Sequence, residues 1–255
     1  MTHELEKYRS AILEMPALDA KHSALTMSGQ GAFATQYAPF DYVNPAAKVV
    51  LVGITPGAFQ ATAALARLKA VLLAGGSDAD ALRAAKEAAS FSGPMRTNLV
   101  QLLDAIGVQR LVGIASCADL FGARADIIHF TSALRYPVFL GGENYSGTPP
   151  ILSTPYLKAM ADRWLRDEAS QLSSAIWVPL GREPAAALSY LVSSAVIPKS
   201  NVVTGLPHPS GANGERIAYF LGRKERSALS SRTNATVLDA ARTRLVAQIG
   251  SLSAA

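Results

Sequence analysis

The sequence predicts an α/β protein with three α/β/α layers around a central four-stranded, mostly parallel sheet. Val49–Val52 is an uninterrupted apolar run, as expected of a central strand in a parallel sheet that is covered on both faces. Apolar strands alternate with helical segments along the chain, which favours parallel pairing through helical crossovers. The 255 residues are 49% hydrophobic and 17% charged, a composition sufficient for a substantial folded core.

The predicted strands and helices follow from the periodicity of apolar residues and from local composition. The β-branched and apolar runs give four strands: Val49–Val52, a segment that begins at Asp126 and runs into a loop at Leu134, Ile176–Gly181, and Asn201–Thr204. Segments with helical spacing or alanine-rich composition give the helices: Thr2–Met15, Ala61–Ala74, Ala79–Ala89, Thr97–Ile106, Tyr156–Leu172, Pro184–Val192 and Ala235–Ile249.

The chain contains no internal repeat and no linker-like stretch. We therefore expect a single domain over residues 1–255, with an Ala-rich helical insertion around residues 61–90. The spacing of Leu5, Tyr8 and Ile12 gives the first helix its apolar stripe, and Pro16 ends it. The sequence assigns no role to the insertion beyond a helical lid or filler.

The composition narrows the classes of site and partner. Lys and Arg total 24 against 19 acidic residues, and the resulting charge of +5 permits a polyanionic partner without requiring one. The single cysteine, Cys117, excludes an intrachain disulfide and multi-cysteine metal sites, and its expected place is the core. His3, His22 and His129 lack metal-ligand spacing, so we expect no metal and no cofactor.

The chain shows no apolar signal segment at its N-terminus and no apolar run of membrane-spanning length. The expected location is therefore the cytoplasm, in association with the nucleoid if the source is bacterial, with no membrane partner. A monomer is the default expectation for the assembly.

Four loops leave the carboxyl ends of the predicted strands, where open parallel sheets bind their ligands. They are Gly53–Phe59, Thr131–Tyr136, Gly181–Pro184 and Pro207–Asn213. The last loop presents His208 between two prolines, whose rings restrict the backbone on either side. An imidazole held in this way is suited to act as a preorganised hydrogen-bond donor.

Taken in order, four short motifs between Tyr37 and Arg223 resemble those of the uracil-DNA glycosylase superfamily. Gly53-Ile-Thr-Pro-Gly resembles the water-activating loop, and Ser90-Phe-Ser-Gly-Pro resembles the segment whose ring stacks on the extruded base. Thr131-Ser-Ala-Leu resembles the base-reading strand end. His208-Pro-Ser-Gly-Ala-Asn resembles the loop that carries the catalytic histidine and enters the minor groove.

The resemblance implies a monofunctional DNA glycosylase that flips and hydrolytically excises uracil, and other deaminated or modified bases, in base excision repair. Its partner would be DNA containing uracil or related lesions. The catalytic residues implied are a neutral His208, which would stabilise the departing base, and Thr55 in the water loop. Base contacts are expected from Gly53, Ile54, Gly57, Phe91 and Ser132, and DNA contacts from Ser210, Gly211, Asn213 and Arg216.

The sequence departs from the family at three positions. Thr55 stands where the family carries an acidic or amide side chain, and a hydroxyl is too weak a base to accept a proton from water. Ser132 stands where an asparagine is common, and Gly57 stands where uracil-strict members carry a bulky ring. We therefore expect a slower enzyme with a looser pocket and a broad range of bases.

Two other functions remain open on the sequence. The missing acid or amide at Thr55 is compatible with a family member that binds damaged or single-stranded DNA but turns over poorly. A weaker third possibility is a hydrolase of free bases or nucleosides on the same scaffold. None of the four loops contains a lysine, which disfavours an associated lyase step.

Overall fold

The computed structural model describes residues 4–91 and 94–253. Its strands are β1 (Thr26–Gln30), β2 (Phe33–Gln36), β3 (Val49–Gly53), β4 (Ile128–Ser132), β5 (Val138–Leu140), β6 (Glu143–Asn144) and β7 (Ile176–Pro179). Its helices are α1 (Leu5–Glu14), α2 (Ala58–Leu73), α3 (Asp78–Ala89), α4 (Pro94–Ile106), α5 (Val108–Val112), α6 (Pro155–Met160), α7 (Arg166–Gln171), α8 (Arg182–Ser193), α9 (Gly214–Phe220) and α10 (Ala235–Ser253). A π-helical turn, Ala161–Leu165, joins α6 to α7, and short 3-10 turns lie at Ser23–Leu25, Cys117–Phe121, Ala125–Ile127, Lys199–Asn201, Gly211–Asn213 and Arg226–Ala228.

The predicted helices are confirmed, with bounds that shift by a few residues at their ends. The first predicted helix starts at Thr2, which lies outside the described residues. The alanine-rich insertion forms the helices α2 and α3, and the turn between them contains Gly75, whose φ of +82° favours glycine. The pair packs with α1 around a core of small, aliphatic and aromatic side chains.

The centre of the fold is a parallel sheet in the order β4-β3-β7. Val52 of β3 is aligned with Thr131 of β4 on one side and with Pro179 of β7 on the other. This register brings the carboxyl ends of all three strands to the same level, where the loops of a ligand site can meet.

Helices cover both faces of this sheet, as its apolar strands predict. Val49 and Leu51 point to a core that includes residues of α4, α5, α9 and α10. Val50 and Val52 point to the opposite core, which includes residues of α6, α7 and α8. None of the helices in the described part of the chain combines the length and apolar character needed to cross a membrane.

The structure does not form the predicted fourth strand. Val202 makes only an isolated parallel bridge with Trp177 of β7, with Val203 N donating to Trp177 O at 2.9 Å. The next bond of a parallel ladder would require an N–H group on Pro179, which proline lacks. The segment therefore leaves the sheet after one bridge, although it still runs beside β7.

A second sheet, antiparallel and in the order β1-β2-β5-β6, was not predicted. Its strands are short, and β1 is largely exposed and polar, so the sequence there lacks the apolar alternation that indicates a strand. Thr35 and Gln36 of β2 are nevertheless buried, and they connect this sheet to the rest of the core.

A polar cluster lies buried between β4 and α7. Glu168 Oε1 accepts a hydrogen bond from Arg135 Nε at 2.6 Å, and its Oε2 lies 3.2 Å from His129 Nε2. Asn44 N donates to His129 Nδ1, so the ring is neutral with its proton on Nε2. Burial lowers the pKa of His129 to about 4, which agrees with a neutral core histidine.

Glu168 is the anion on which this cluster depends. Burial by itself would raise the pKa of its carboxyl group, but the charges of Arg135 and Lys86 outweigh that effect and hold the pKa well below its ordinary value. Removing the charge of Glu168 would leave the buried Arg135 guanidinium without a counterion. Removing one partner of a buried ion pair in this way is strongly destabilising.

We expect Glu168→Gln to lower the free energy of unfolding by about 3–5 kcal/mol at pH 7, measured by urea denaturation. Glu87→Gln is the matched control, because Glu87 forms an exposed ion pair with Arg83 and should contribute less than about 1 kcal/mol. Equal losses in the two variants would contradict the role assigned to the buried carboxylate.

Candidate active site

A cavity of about 240 Å³ lies at the carboxyl ends of the parallel strands. This volume is below the range of about 300–1,000 Å³ typical of sites for drug-sized ligands, and it suits a single small ring system. The structure brings together all seven of the residues predicted to act in catalysis or to contact the base: Gly53, Ile54, Thr55, Gly57, Phe91, Ser132 and His208.

His208 is held from both sides of its loop. Ser210 N donates to His208 Nδ1 at 3.2 Å, and Asn98 of α4 donates to the carbonyl of Pro209 at 2.9 Å. Because Nδ1 accepts a hydrogen bond, a neutral ring carries its proton on Nε2. Burial lowers the pKa of His208, so at neutral pH the ring is an uncharged donor at the wall of the cavity.

Phe91 lines the cavity beside the ends of the parallel strands. A β-carbon added to Gly53 would lie 3.2 Å from Ser132 Oγ and 3.6 Å from Phe91 Cε1, so ring, hydroxyl and glycine are in close contact. The φ of Phe91 is +49°, an unfavourable backbone conformation for an aromatic residue. Of the motif that contains it, Ser92 and Gly93 lie outside the described residues.

Thr55 lines the cavity, but its hydroxyl is already used by the backbone. Its Oγ1 donates to the carbonyl of Tyr136 at 2.9 Å and accepts from Val138 N at 3.1 Å. The hydroxyl proton is therefore not available to a ligand, and only one lone pair remains to hold a water molecule.

No aspartate or glutamate is among the described residues that line the cavity. A carboxylate, that of Glu183, lines the groove next to it, where its Oε2 accepts from Ile151 N at 2.8 Å. The described cavity wall can therefore donate hydrogen bonds and stack on a ring, but it contains no carboxylate that could act as a base.

Three further polar side chains line the wall without having been predicted as site residues: Lys86, and also Thr131 and Arg135, which lie in the predicted loop Thr131–Tyr136. Lys86 comes from the helical insertion, and its Nζ donates to the carbonyls of Phe40 at 3.0 Å and Tyr42 at 2.6 Å. Burial lowers the pKa of its ammonium group to about 8. One sequence signal could have indicated that Lys86 is buried: the neighbouring positions on the same face of the helix are apolar.

A larger groove, about 700 Å³, adjoins the cavity and shares Ile54 and His208 with it. Two of the predicted DNA contacts, Asn213 and Arg216, line this groove together with Arg182 and Arg232. Arg216 is fixed by bonds from Nη1 to Asn213 Oδ1 and from Nη2 to the carbonyl of Arg232, both at 3.1 Å.

The other two predicted DNA contacts lie outside the linings of the cavity and the groove. Ser210 uses its N–H to orient His208, and its Oγ accepts from Asn213 Nδ2 at 3.2 Å. Gly211 is exposed at the start of the following 3-10 turn. Across residues 4–91 and 94–253, no group of three or more His, Cys, Asp or Glu side chains could hold a metal ion.

Comparison with known proteins gives one relative to report. The chain is 32% identical over 242 residues to "Uncharacterized protein YoxB" of Bacillus subtilis (strain 168), a match that covers 92% of this chain and 94% of the relative. No family model matches the chain, and no solved structure matches it. At this identity and coverage, the chain belongs to the same family as YoxB of Bacillus subtilis.

Proposed function

We propose that this protein is a monofunctional DNA glycosylase that excises uracil, and other deaminated or modified bases, from DNA. The observation that carries the proposal is the neutral His208, oriented by Ser210 N, in the wall of a base-sized cavity that Phe91 also lines. The proposal also rests on the resemblance of the four loop motifs to the uracil-DNA glycosylase superfamily.

The arrangement accounts for the chemistry of N-glycosidic cleavage. When the bond between C1′ and the base breaks, its electron pair leaves with the base and negative charge develops on a base carbonyl oxygen. His208 Nε2–H would donate to that oxygen, while Phe91 would stack on the ring. Water then adds to C1′, and its proton passes through solvent to the departed base anion, since the described cavity wall has no carboxylate to receive it.

The adjoining groove favours DNA over a free base or nucleoside as the substrate. Arg182, Arg216 and Arg232 line it, and guanidinium groups suit the phosphates on either side of a flipped nucleotide. Since His208 and Ile54 belong to both spaces, a nucleotide could place its base in the cavity and its backbone in the groove.

A second candidate function is a DNA-binding family member that turns over poorly. The occupied hydroxyl of Thr55 and the absence of a carboxylate among the described cavity residues favour it. It predicts the same binding to DNA, but without release of a base, so a direct assay of base release separates the two functions.

The assay is single-turnover incubation with a uracil-containing oligonucleotide, followed by alkali and measurement of strand scission. We expect scission by the wild type and a loss of roughly 10²–10³-fold in His208→Ala, because the charge on the departing base loses its donor. Thr55→Ala should lose only about fivefold, the effect of one neutral hydrogen bond.

Thr55→Ser is the control for Thr55, since it keeps the hydroxyl that bonds to Tyr136 and Val138. Thermal unfolding of each variant separates loss of activity from loss of structure. Absence of scission by the wild type would refute the glycosylase proposal, and equal losses in the two alanine variants would refute the division of roles.

The pH dependence follows from the protonation state of His208. Burial lowers the pKa of its imidazole below the ordinary value of about 6.5, and the neutral ring is the active donor. The single-turnover rate should therefore stay level as the pH falls from 7.5 to 6.5, an interval below the pKa of about 8 of Lys86 in the same wall, and decline only at lower pH. A rate that rises over the first interval would indicate a charged histidine instead.

Base selectivity should depend on the absence of a side chain at Gly57. Its φ of −81° is accessible to any residue, and an added β-carbon would lie 2.8 Å from Gln60 Oε1, the end of a flexible side chain. Gly57→Tyr should narrow the cavity and reduce excision of 5-substituted uracils by roughly tenfold or more relative to uracil. Release of uracil alone by the wild type would contradict the expected breadth.

A further inference from the structure

The wall of the cavity on the β4 side contains a hydroxyl group with no partner. Thr131 is 7% exposed, and its Oγ1 is buried without a hydrogen bond to any described residue. Buried hydroxyls in native proteins are nearly always paired, and an unpaired one is costly. Because Thr131 also lines the cavity, a ligand is the natural partner for this group.

Two cationic side chains line the same cavity, and each has donor capacity left. Arg135 uses Nε for Glu168 and Nη2 for the carbonyl of Trp164, and it also interacts with the hydroxyl of Tyr136. A guanidinium group has five N–H donors, so donors remain for a ligand. Lys86 uses two of its three N–H donors for the carbonyls of Phe40 and Tyr42. Their exposed fractions are only 8% and 2%.

The nearby carboxylates are committed to other groups. Glu168 accepts from Arg135 and faces His129, and Asp41 accepts from the hydroxyls of Tyr37 and Tyr136. In the described part of the chain, no carboxylate lies within ion-pair distance of Lys86 Nζ. Glu168 and Asp41 act on the charge of Lys86 only from beyond ion-pair distance, and an anion in the cavity would give this ammonium group a direct partner.

His208 and this cluster stand at different sides of the sheet end. His208 Cδ2 lies 3.3 Å from the position of a β-carbon at Gly181, just after β7, whereas Thr131 belongs to β4. The two strands are separated by β3, which amounts to two strand spacings, or about 10 Å. A single ring in the cavity can therefore present one edge to His208 and the opposite edge to the cluster.

We propose that Thr131, Arg135 and Lys86 bind an anionic edge of the ligand, and that the ligand is a pyrimidine base with a carboxylate at C5. The inference rests on the proposed function, which places a nucleobase in this cavity. In a pyrimidine, C5 is opposite C2, so a ring whose O2 accepts from His208 directs its C5 substituent toward the cluster. The adjacent O4 and carboxylate then offer three acceptor oxygens to three donors.

The test is calorimetric titration of the protein with free 5-carboxyuracil and with thymine, which carries a methyl group in place of the carboxylate. We expect the wild type to bind 5-carboxyuracil at least about tenfold more tightly than thymine. Thr131→Val should remove about tenfold of the affinity for 5-carboxyuracil and weaken thymine binding less, because thymine offers the cluster only O4. Valine is close in shape and removes only an unpaired hydroxyl, so the variant should fold normally.

Thr35→Val is the control, because Thr35 is buried and its hydroxyl is bonded to Tyr156 instead of facing the cavity. It should bind both bases as the wild type does. Lys86→Gln, accepted for analysis only if its thermal unfolding is cooperative, should also lose affinity for 5-carboxyuracil selectively.

Equal wild-type affinity for the two bases, or an unchanged affinity in Thr131→Val, would overturn the inference. The outcome is separable from that of the glycosylase assay. Release of uracil from DNA without any preference for the carboxylate would overturn the ligand assignment alone. Carboxylate-dependent binding without base release from any DNA would support the ligand assignment and refute the glycosylase.

Discussion

The candidate site depends on the alignment of three parallel strands and the continuation of their hydrogen bonds into the loops. Beyond the strand ends, Ala133 N donates to the carbonyl of Gly53 at 2.8 Å and Leu134 N donates to that of Ile54 at 2.9 Å. On the other side, Leu180 N donates to the carbonyl of Val52 at 2.9 Å. The loops at the cavity are thus fixed by backbone bonds, which do not depend on the identity of the side chains that they present.

That scaffold supports two kinds of polar environment in one small space. At one side, a neutral imidazole is fixed through its Nδ1 and directs a single donor inward. At the other side, Lys86 and Arg135 bring buried positive charge to the wall, and Glu168 compensates part of it from behind. The apolar rings of Phe40, Phe91 and Phe130 lie among the lining residues, so the polar contacts act in a medium with little competing water.

Much of the fold and of the site was predictable because it is encoded locally. The run Val49–Val52 and the Gly- and Pro-rich loops each carry their own signal, and parallel topology then places the loops at one edge. This is why Gly53, Ser132 and His208 could be expected at one edge of the sheet without coordinates, whereas Phe91 was expected in the site only from the family resemblance. The structure supplies the register, in which Gly53 is aligned with Ser132.

What the sequence could not predict depends on long-range contacts. The fourth strand fails because Pro179 lies where the neighbouring segment needs a donor, a relation between residues that are distant in sequence. Lys86 enters the cavity because α3 packs onto the loop containing Phe40 and Tyr42, and nothing near Lys86 in sequence indicates that contact. The antiparallel sheet escaped prediction because β1 is polar and exposed.

The hydroxyl of Thr55 has a structural role that an acidic side chain could not fill. Thr55 Oγ1 joins the loop after β3 to the carbonyl of Tyr136 and to the N–H of Val138, the first residue of β5, so it ties the parallel sheet to the antiparallel one. A carboxylate in its place could accept from Val138, but it would face the Tyr136 carbonyl as one acceptor against another. A side chain that both donates and accepts is therefore required here to join the two sheets, and an acceptor-only carboxylate would leave the joint half made.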